Sequence, residues 1–413
     1  MTAPRLAIWT SGIPHPTEGA STVLFWHYIF GLRAQGFDVL NVLLLQPENS
    51  GAKALEEYRE SAAAAGFEVA VCRSESFVVE RHRNIRLRRD NLGPALESLA
   101  RFQPDLSFCL DLVAAWAARE TASPRVVWLG DLRFQTVWFH AFFAAREQPK
   151  KILQIPLALT RAFLWRGVYR RVLEDVSDVI VSSKSSEAAL LRLGVRSGYE
   201  AYPWPSDERR AARPAATELA QPTFLFLGTL QALGSRSAFH YLFEKLYPKL
   251  IELWGPEGFQ IMIAGRGDLP DWARGALQQR PEIVHVGFVV DLVELFGRVH
   301  AAIAPIAVPV GNRSRILTAL AAETVVVAHE NAALGNPDLV DGDTCYLARD
   351  PGDFVERMAR CVDDPVEAGA VATRGRELYL SRFRPDVAVR AAADRLSAVL
   401  TSAANTTETT ERS

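Results

Sequence analysis

A glycine and two arginines lie at the start of a predicted helix in the second half of the chain. Gly311, Arg313 and Arg315 fall within residues 305–351, where the sequence predicts a loop, a helix, a buried strand, then a further loop and strand. Backbone amides at a helix N-terminus attract anions, and guanidinium groups donate paired hydrogen bonds to phosphate oxygens. Two arginines at i and i+2 point in different directions on a helix, which favours a turn around an anion. We interpret the segment as a diphosphate site. The alternative is a solvated, charged helix start.

Glycine also marks the first strand-to-helix turn. Gly12 and Gly19 lie in this turn, which is either a loop that approaches a ligand phosphate or a plain turn with Ser21 as the helix cap. A pair of glycines is weak evidence, and the turn lacks the dinucleotide fingerprint GxGxxG. Both interpretations stay open from the sequence.

Two further glycine turns belong to the second half of the chain. Residues 228–237 link a predicted strand to a helix for which Ser235 or Ser237 is the expected cap, with Arg236 in its first turn. A cation there is unfavourable for the helix dipole unless it binds an anion, and a surface arginine is the simpler interpretation. Residues 265–268 (GRGD) either shape a cleft or form a plain turn.

The other reactive side chains are scattered along the sequence. No Ser/His/Asp triad or metal-ligand spacing can be found, and the cysteines contain no CxxC pair, which predicts buried thiols in a reducing compartment. We therefore expect no metal and no bound cofactor. The isolated histidines are His15, His27, His140 and His329, and the cysteines are Cys72, Cys109, Cys345 and Cys361.

Length and composition indicate two globular domains. The chain has 413 residues, of which 49% are hydrophobic and 23% charged. The formal net charge of −2 argues against a nucleic-acid partner. The first residues lack the pattern of a signal peptide, and no apolar run is long enough to span a membrane. We expect a cytoplasmic protein.

Short buried strands alternate with helices in both halves, which predicts an α/β fold with parallel sheets. We expect two doubly wound, Rossmann-like domains that face each other across a cleft, with ligands at the carboxyl ends of the strands. The predicted parts are a first domain (1–205), a linker (206–222), a second domain (223–385), a helix (386–400) that packs back on the first domain, and a disordered tail (401–413). The predicted strands cover 6–9, 39–45, 69–72, 106–110, 126–129, 179–182, 223–227, 260–263, 283–286, 301–304, 325–328 and 346–347.

Two segments of the first half are strongly basic. Residues 81–89 read RHRNIRLRR, and residues 133–171 hold eight Lys and Arg, one acid (Glu147) and eight aromatic residues. This mixture suits peripheral contact with anionic lipid on the inner face of a membrane, or an acceptor with a lipid tail. The alternative is that the aromatic side chains face the core and the basic ones face water.

Taken together, these motifs resemble the GT-B glycosyltransferases, most closely those of family 4. The resemblance covers nearly the whole chain, and the order and spacing of its motifs are specific. NRSRILTALAAETVVVA resembles the family's donor-site helix, RxKxxEAxAxGxPVVA. The other matching stretches are SGIPHPTEGAS, GLRAQGFDV, VIVSS, FLGTLQALGSRS, HVGFVVDLVELF and PDLVDGDTCYLARDP.

The resemblance implies a hexosyltransferase-like enzyme that moves a sugar from a nucleoside diphosphate sugar to a glycan, lipid-linked or small-molecule acceptor. It implies retention of the anomeric configuration, no metal, the donor in the second domain and the acceptor in the first. Arg313 and Arg315 match the family's Arg and Lys, and Asp131 joins them as the implied catalytic set. No strong general base is needed where the leaving phosphate takes the acceptor proton. The implied donor-binding residues are Gly19, Gly228, Ser235, Arg236, Gly265, Gly287, Val289, Gly311, Asn312, Ser314 and Thr318.

Four positions depart from the family pattern. Val310 and Thr318 stand where many members have glutamates, Glu323 stands where a glycine is usual, and Gly130 replaces a histidine. A neutral hydroxyl at Thr318 binds a ribose more weakly than a carboxylate, about 1 kcal/mol against roughly 1.5–3 kcal/mol. These departures keep a second hypothesis open, a catalytically silent GT-B protein that binds a nucleotide or a partner. A nucleotide-sugar epimerase of the same fold is a weaker third.

Overall fold

Strands and helices alternate through the computed structural model, which describes residues 3–49, 51–81, 84–88, 91–212 and 219–411. The strands are β1 (Arg5–Thr10), β2 (Asp38–Leu45), β3 (Glu68–Arg73), β4 (Val78–Arg81), β5 (Asn84–Leu87), β6 (Leu106–Cys109), β7 (Arg125–Leu129), β8 (Asp178–Val181), β9 (Gly198–Tyr199), β10 (Thr223–Leu227), β11 (Gln260–Ala264), β12 (Ile283–Gly287), β13 (Ala301–Ala304), β14 (Val326–His329) and β15 (Tyr346–Ala348).

Most of the helices are short and cover the faces of the two sheets. The α-helices are α1 (Ala20–Ala34), α2 (Ala52–Ala64), α3 (Gly93–Phe102), α4 (Leu112–Ala117), α5 (Arg133–Glu147), α6 (Ile155–Leu173), α7 (Lys184–Leu191), α8 (Leu233–Tyr241), α9 (Tyr247–Trp254), α10 (Asp271–Leu277), α11 (Leu292–Phe296), α12 (Ser314–Ala321), α13 (Ala332–Gly335), α14 (Pro351–Asp363), α15 (Pro365–Leu378) and α16 (Pro385–Glu411). Pro47–Asn49, Ala118–Glu120 and Pro149–Gln154 are 3₁₀ turns, and Leu242–Leu246 and Tyr379–Phe383 are π-helical.

Each domain is built around one parallel sheet. The first sheet has the order β3-β2-β1-β6-β7-β8-β9 and the second the order β12-β11-β10-β13-β14-β15. In both sheets the chain winds outwards from a central strand and then returns to that strand's other side. The loops beyond these central strands therefore diverge and leave a crevice at the carboxyl ends. The predicted pair of doubly wound, Rossmann-like α/β domains is confirmed.

The strands are apolar because helices cover both faces of each sheet. All five residues of β10 are buried, and in β1 only Arg5 is not. The predicted strand ends agree with the structure to within one residue. The sequence missed the short edge strand β9 and the antiparallel hairpin of β4 and β5, which lies outside both sheets.

Asp and Ser at strand exits start several helices. Asp350 accepts hydrogen bonds from the N–H groups of Gly352 and Asp353, at 2.8 and 3.0 Å, and Pro351 takes the first position of α14. The two predicted serine caps are wrong. Helix α1 follows Gly19 and helix α8 follows Ala232, and neither has a side-chain cap.

The C-terminal helix α16 crosses back to the first domain. Val389 packs on Gly31 of α1, and the Arg395 guanidinium binds Asp178 and Glu200, at 2.9 and 3.1 Å. The predicted disordered tail is wrong as far as Glu411, because the helix continues to that residue. A helix already nucleated by packing extends at little cost through polar residues. Residues 412 and 413 lie outside the described part.

The predicted linker has no regular secondary structure over its described residues, 206–212 and 219–222. Ala211 donates its N–H to the carbonyl of Ala322, at 2.9 Å, and Arg209 bonds to Asp291. The first part of the linker is therefore attached to the second domain. Residues 213–218 lie outside the described part.

Candidate active site

A cleft of about 840 Å³ separates the two domains at the carboxyl ends of both sheets. The exits of β1, β6 and β7 form its first-domain wall, with Ser11, Asp111 and Asp131 facing the space. The exits of β10, β11 and β13 and the start of α12 form the opposite wall. Switch points of doubly wound sheets commonly hold ligands, and the volume lies within the usual range for such sites.

The loop that precedes α12 depends on Gly311. Its φ of +91° lies in the left-handed region, which glycine adopts without strain. A Cβ at this position would also lie 3.3 Å from Oδ2 of Asp131 and 3.3 Å from Nη1 of Arg313. Gly311 therefore lets a carboxylate and a guanidinium approach the backbone on the cleft wall.

Arg313 borders the cleft, but both of its terminal nitrogens are held by its own loop. The side chain is buried, and its guanidinium donates to the carbonyls of Val308, Val310 and Gly311, at 2.6 to 2.8 Å. Burial lowers the pKa of Arg313 to about 10, against the opposing charge of Asp131. A buried guanidinium needs acceptors, and the tight loop supplies them. Arg313 thus holds the loop together.

Arg315 is the cation that faces the cleft. Its Nη2 donates to Oγ of Ser235, at 3.2 Å, while its buried Nη1 has no hydrogen-bond partner. The guanidinium lies 5.0 Å from the ring centre of Phe226. Burial and then the charge of Arg313 lower its pKa to about 9, so it stays protonated at neutral pH. An unpartnered N–H of a buried cation at a helix start is suited to an anionic ligand.

Glycines surround this cation, and Gly228 makes room for it. A Cβ on Gly228 would lie 2.5 Å from Nη1 of Arg315, and one on Gly234 would lie 3.6 Å from its Nη2. A Cβ on Gly265 would collide with the carbonyl oxygen of Gly228. A side chain at Gly228 would therefore displace Arg315, and one at Gly265 would push against the backbone of Gly228.

Ser235 and Arg236 have different roles from those expected. Ser235 is buried, donates to the carbonyl of Thr229 at 2.7 Å, and accepts from Arg315, so it supports the cation from behind. Arg236 points away from the cleft and binds Glu147 of α5 through two contacts of 2.8 Å. Adjacent residues on a helix point in directions about 100° apart, which separates the two side chains. Gly287 also lies off the cleft wall, at the end of β12.

Asp131 joins the two domains at the cleft. It accepts a hydrogen bond from the backbone N–H of Asn312, whose side chain accepts from Ser182 at 2.7 Å. Burial raises the pKa of Asp131, although the charge of Arg313 and the Asn312 hydrogen bond act in the opposite direction. The carboxylate remains reachable from the cleft. Its contacts make it a positioning group for the loop before α12.

Thr318 faces the cleft one helical turn after Arg315. Its hydroxyl donates to the carbonyl of Ser314, at 3.2 Å, and accepts the indole N–H of Trp204, at 3.1 Å. Trp204 lies at the crossover between the domains and also lines the cleft. The position that carries a glutamate in many GT-B members is therefore occupied by a threonine with an aromatic partner.

Comparisons with known proteins agree with this geometry. Residues 221–364 match the family model described as Glycosyl transferases group 1. This stretch contains Gly228, Arg315 and Thr318. Over these residues the chain resembles a group 1 glycosyltransferase domain. A search of curated protein sequences found no match.

Solved structures extend the likeness to both domains. HepE from Anabaena, in complex with UDP and glucose, is 14% identical, with 96% of this chain and 100% of that chain covered and a TM-score of 0.63. Sucrose-phosphate synthase from Thermosynechococcus elongatus is 14% identical over 97% and 100% of the two chains, with a TM-score of 0.64. TarM from S. aureus, in a complex with UDP, is 8% identical over 96% and 99%, with a TM-score of 0.62. The fold of the whole chain is GT-B.

Other predicted residues also border the cleft of this GT-B fold. Gly19, Val289 and Ser314 line it, and Gly19 has a φ of +76° immediately before α1. Because no side chain caps α1, the interpretation of the first turn as a plain Ser21-capped turn is wrong. The loop interpretation, with contact to a ligand phosphate, stays a prediction.

Sequence reasoning missed several residues of the site. Asp111 accepts from the N–H of Ala114 at 2.7 Å and from the hydroxyl of Ser11, and it faces the first-domain side of the cleft. Its signal was available, because it follows a buried strand in the same way as Asp131. Glu18 and Arg266 form an exposed ion pair of 3.1 Å between the two domains.

The other three residues that depart from the family pattern lie in different surroundings. Val310 is buried in the second-domain core, and Gly130 lies on the cleft wall next to Trp128. Glu323 has a φ of +59°, the left-handed conformation that glycine favours, and its carboxylate binds Arg210 at 2.9 Å and accepts from Thr373 at 2.9 Å. Glu323 is therefore a structural residue away from the cleft.

Within the described ranges, no three His, Cys, Asp or Glu side chains cluster as metal ligands would. The four cysteines are buried free thiols. None of the described helices has the length and apolar character that a membrane crossing requires.

Proposed function

We propose that the protein transfers a sugar from a nucleoside diphosphate sugar to an acceptor bound on the first-domain side of the cleft. Arg315 carries the proposal. It is a protonated, half-buried cation whose Nη1 lacks a partner, Gly228 leaves the space for it, and Ser235 accepts from its Nη2. A diphosphate is the ligand whose charge and oxygen geometry suit this arrangement.

The transfer would proceed by displacement at C1 of the sugar. The bond between C1 and the diphosphate oxygen breaks, and the electron pair leaves with the diphosphate. The acceptor hydroxyl oxygen bonds to C1, and its proton passes to an oxygen of the leaving phosphate. Arg315 and the first backbone amides of α12 stabilise the charge that develops on the leaving group.

We propose further that the transfer retains the anomeric configuration of the sugar and needs no metal ion. Transfer of the acceptor proton to the leaving phosphate places entering and leaving groups on the same face of the sugar, which retains the configuration. It also removes the need for a strong base. The positive charge that a metal would supply comes from Arg315 and the start of α12. Asp131 holds the loop before α12 in place.

The nucleotide and the acceptor are proposed by class. HepE and TarM, which share the fold, have been solved with UDP. We take UDP-sugars as the first donors to test, and a glycan, a lipid-linked sugar or a small molecule as the acceptor class. Asp111 and Asp131 offer carboxylates to hydroxyl groups from the first-domain wall. We propose a cytoplasmic location, with contact to the inner face of a membrane through part of residues 133–171.

Turnover of a panel of nucleotide sugars by wild type and Arg315→Ala tests the activity. We expect the substitution to reduce kcat/KM by on the order of a hundredfold or more, since it removes the main stabilising charge on the leaving group. Arg298→Ala is the matched control, because Arg298 is exposed on the same domain and pairs with the exposed Glu294. Full activity of Arg315→Ala would refute the assignment.

A catalytically silent, nucleotide-binding or regulatory protein is the second candidate. Two observations favour it: Arg313 is held by loop carbonyls, and the Thr318 hydroxyl is occupied by Trp204. Calorimetry with UDP and GDP, beside the turnover assay, separates the candidates. Micromolar nucleotide binding without any turnover would support the silent protein. Products formed without an acceptor would indicate the epimerase instead.

A further inference from the structure

The connection between β7 and β8 is a helical hairpin made of α5, the turn Pro149–Gln154 and α6. It contains five of the fourteen large apolar side chains that are exposed among the described residues. Two of them stand out, because Leu153 is 83% exposed and Phe163 is 72% exposed. The five are Phe142, Ile152, Leu153, Leu159 and Phe163.

Helix α6 has one buried and one exposed face. The buried face packs on the core of the first domain, where Trp165 donates its indole N–H to Glu80 at 3.2 Å. The exposed face begins with apolar side chains, Leu159 and Phe163, at the i, i+4 spacing that places them together. Both of the sequence alternatives are therefore partly correct. Phe134, Phe143, Trp165 and Tyr169 face the core, while Phe142 and Phe163 face solvent.

The charges around these apolar side chains have one sign. Lys150 and Lys151 lie in the turn, and further basic residues follow along the exposed face of α6. The acid of this segment, Glu147, is paired with Arg236 of the second domain. No carboxylate in the described part of the chain pairs with any of the basic residues Lys150, Lys151, Arg166, Arg170 and Arg171.

We propose that this hairpin patch (Lys150, Lys151, Ile152, Leu153, Leu159 and Phe163) docks on an anionic lipid membrane. Apolar side chains beside unpaired lysines suit the boundary between acyl chains and anionic headgroups. A second copy of the chain is a poorer occupant, because two such patches would bring like charges together. The basic segment 81–89 is not needed for the patch, and its residues 82, 83 and 89 lie outside the described part.

Membrane docking narrows the acceptor class within the proposed function, on which this step depends. The hairpin follows β7 directly, and the exit of β7 carries Asp131 at the first-domain side of the cleft. An acceptor with a lipid tail would be presented to that same domain. We therefore take a lipid-linked acceptor ahead of a free glycan or a small molecule.

Co-sedimentation of the full chain with vesicles tests the patch. Vesicles of equal parts phosphatidylcholine and phosphatidylglycerol should bind the protein at low salt, with weaker binding at high salt and on pure phosphatidylcholine. Lys150→Gln with Lys151→Gln should weaken binding by about tenfold, and Leu153→Ser with Phe163→Ser by about tenfold or more. The matched controls, Lys245→Gln with Lys249→Gln and Leu253→Ser with Val366→Ser, replace exposed residues elsewhere and should bind like wild type.

Several outcomes would overturn the proposal. One is that the protein does not bind anionic vesicles at low salt. Another is that the patch variants bind as well as their controls. A dimer that Leu153→Ser with Phe163→Ser converts to a monomer, without any vesicle binding, would assign the patch to a second copy. UDP affinity, measured on the same variants, should not change. Vesicle binding needs no turnover, so its failure is distinguishable from failure of the transferase proposal.

Discussion

Trp204 donates its indole N–H to the hydroxyl of Thr318, at 3.1 Å. The bond joins the crossover between the domains to the helix that carries Arg315. Trp204 is fixed from its other side as well, because its carbonyl accepts from Tyr379 at 2.9 Å. The pair therefore connects the cleft wall to the segment that leads into the C-terminal helix.

Replacing either member of this pair should lower stability, and the two effects should overlap. Thr318→Val leaves the indole N–H without its acceptor, and Trp204→Phe removes the donor. We expect a coupling of about 1 kcal/mol in the free energy of unfolding, measured by a double-mutant cycle in urea. Strictly additive losses would mean that the hydrogen bond contributes nothing.

A carboxylate at position 318 should bind a ribose more tightly than the hydroxyl does. Thr318→Glu is expected to raise UDP affinity by up to about tenfold, because a charge-assisted hydrogen bond replaces a neutral one. Calorimetry measures the change, and Thr318→Gln is the control with the same length and no charge. Unchanged or weaker binding of Thr318→Glu would place the ribose elsewhere.

The Arg236–Glu147 pair should hold the domains together. The two side chains are 15% and 12% exposed, and Glu147 also lies 3.5 Å from the His240 ring, which stacks on Trp272 at 4.1 Å. Arg236→Ala leaves Glu147 poorly compensated, and we expect a loss of about 2–3 kcal/mol and a larger radius of gyration in X-ray scattering. Arg349→Ala removes a side chain that is 78% exposed and whose partner, Asp353, keeps Arg357, so it should change neither quantity. The charge swap Arg236→Glu with Glu147→Arg should restore part of the loss.

Substitutions of Glu323 should separate the effect of its side-chain contacts from the effect of its left-handed backbone. Glu323→Gly loses the contacts to Arg210 and Thr373 but relieves the left-handed backbone, whereas Glu323→Ala loses the contacts without relief. We expect the glycine variant to be more stable than the alanine variant by about 1 kcal/mol in thermal or urea unfolding. An alanine variant of equal or greater stability would contradict the backbone argument.

His329 should make stability fall on mild acidification. Burial lowers its pKa below 6.5, against the opposing charge of Glu330 and together with the charge of Arg313. The folded state therefore binds the proton less readily than the unfolded chain, and stability present above pH 6.5 is lost as the pH falls below it. His329→Asn keeps an acceptor for the Asn331 N–H and should flatten part of this dependence in urea titrations at several pH values. An unchanged slope would show that His329 does not contribute.

The positions of the strands along the chain, and the position of the cleft at their carboxyl ends, could be predicted from the sequence because each depends on a local pattern. The buried strands are mostly apolar, with exceptions such as Asn41 and Ser107, and glycines mark the exits of β10, β11 and β12. The direction in which a side chain points could not be predicted, since it depends on neighbours that are distant in the sequence. Arg313 and Arg315 are two residues apart and equally basic, yet one bonds to its own loop and the other faces the cleft.

Arg236 is a second residue whose partner could not be predicted from the sequence. From the sequence, a surface arginine was the simpler interpretation and an anion partner the alternative; the structure supplies that partner in Glu147, far away in the sequence. Trp204 had no chemical motif around it, so nothing in its local sequence indicated a contact with Thr318. Asp111 was the exception, because an acid directly after a buried strand could have been noticed.

The ion pair between Glu18 and Arg266 has a consequence for substrate traffic. Both side chains are more than half exposed, and such pairs contribute only about 0.2–1 kcal/mol. Thermal energy, about 0.6 kcal/mol, is enough to break the contact often. The Glu18–Arg266 contact is thus too weak by itself to keep this part of the cleft rim closed against the entry or exit of a ligand.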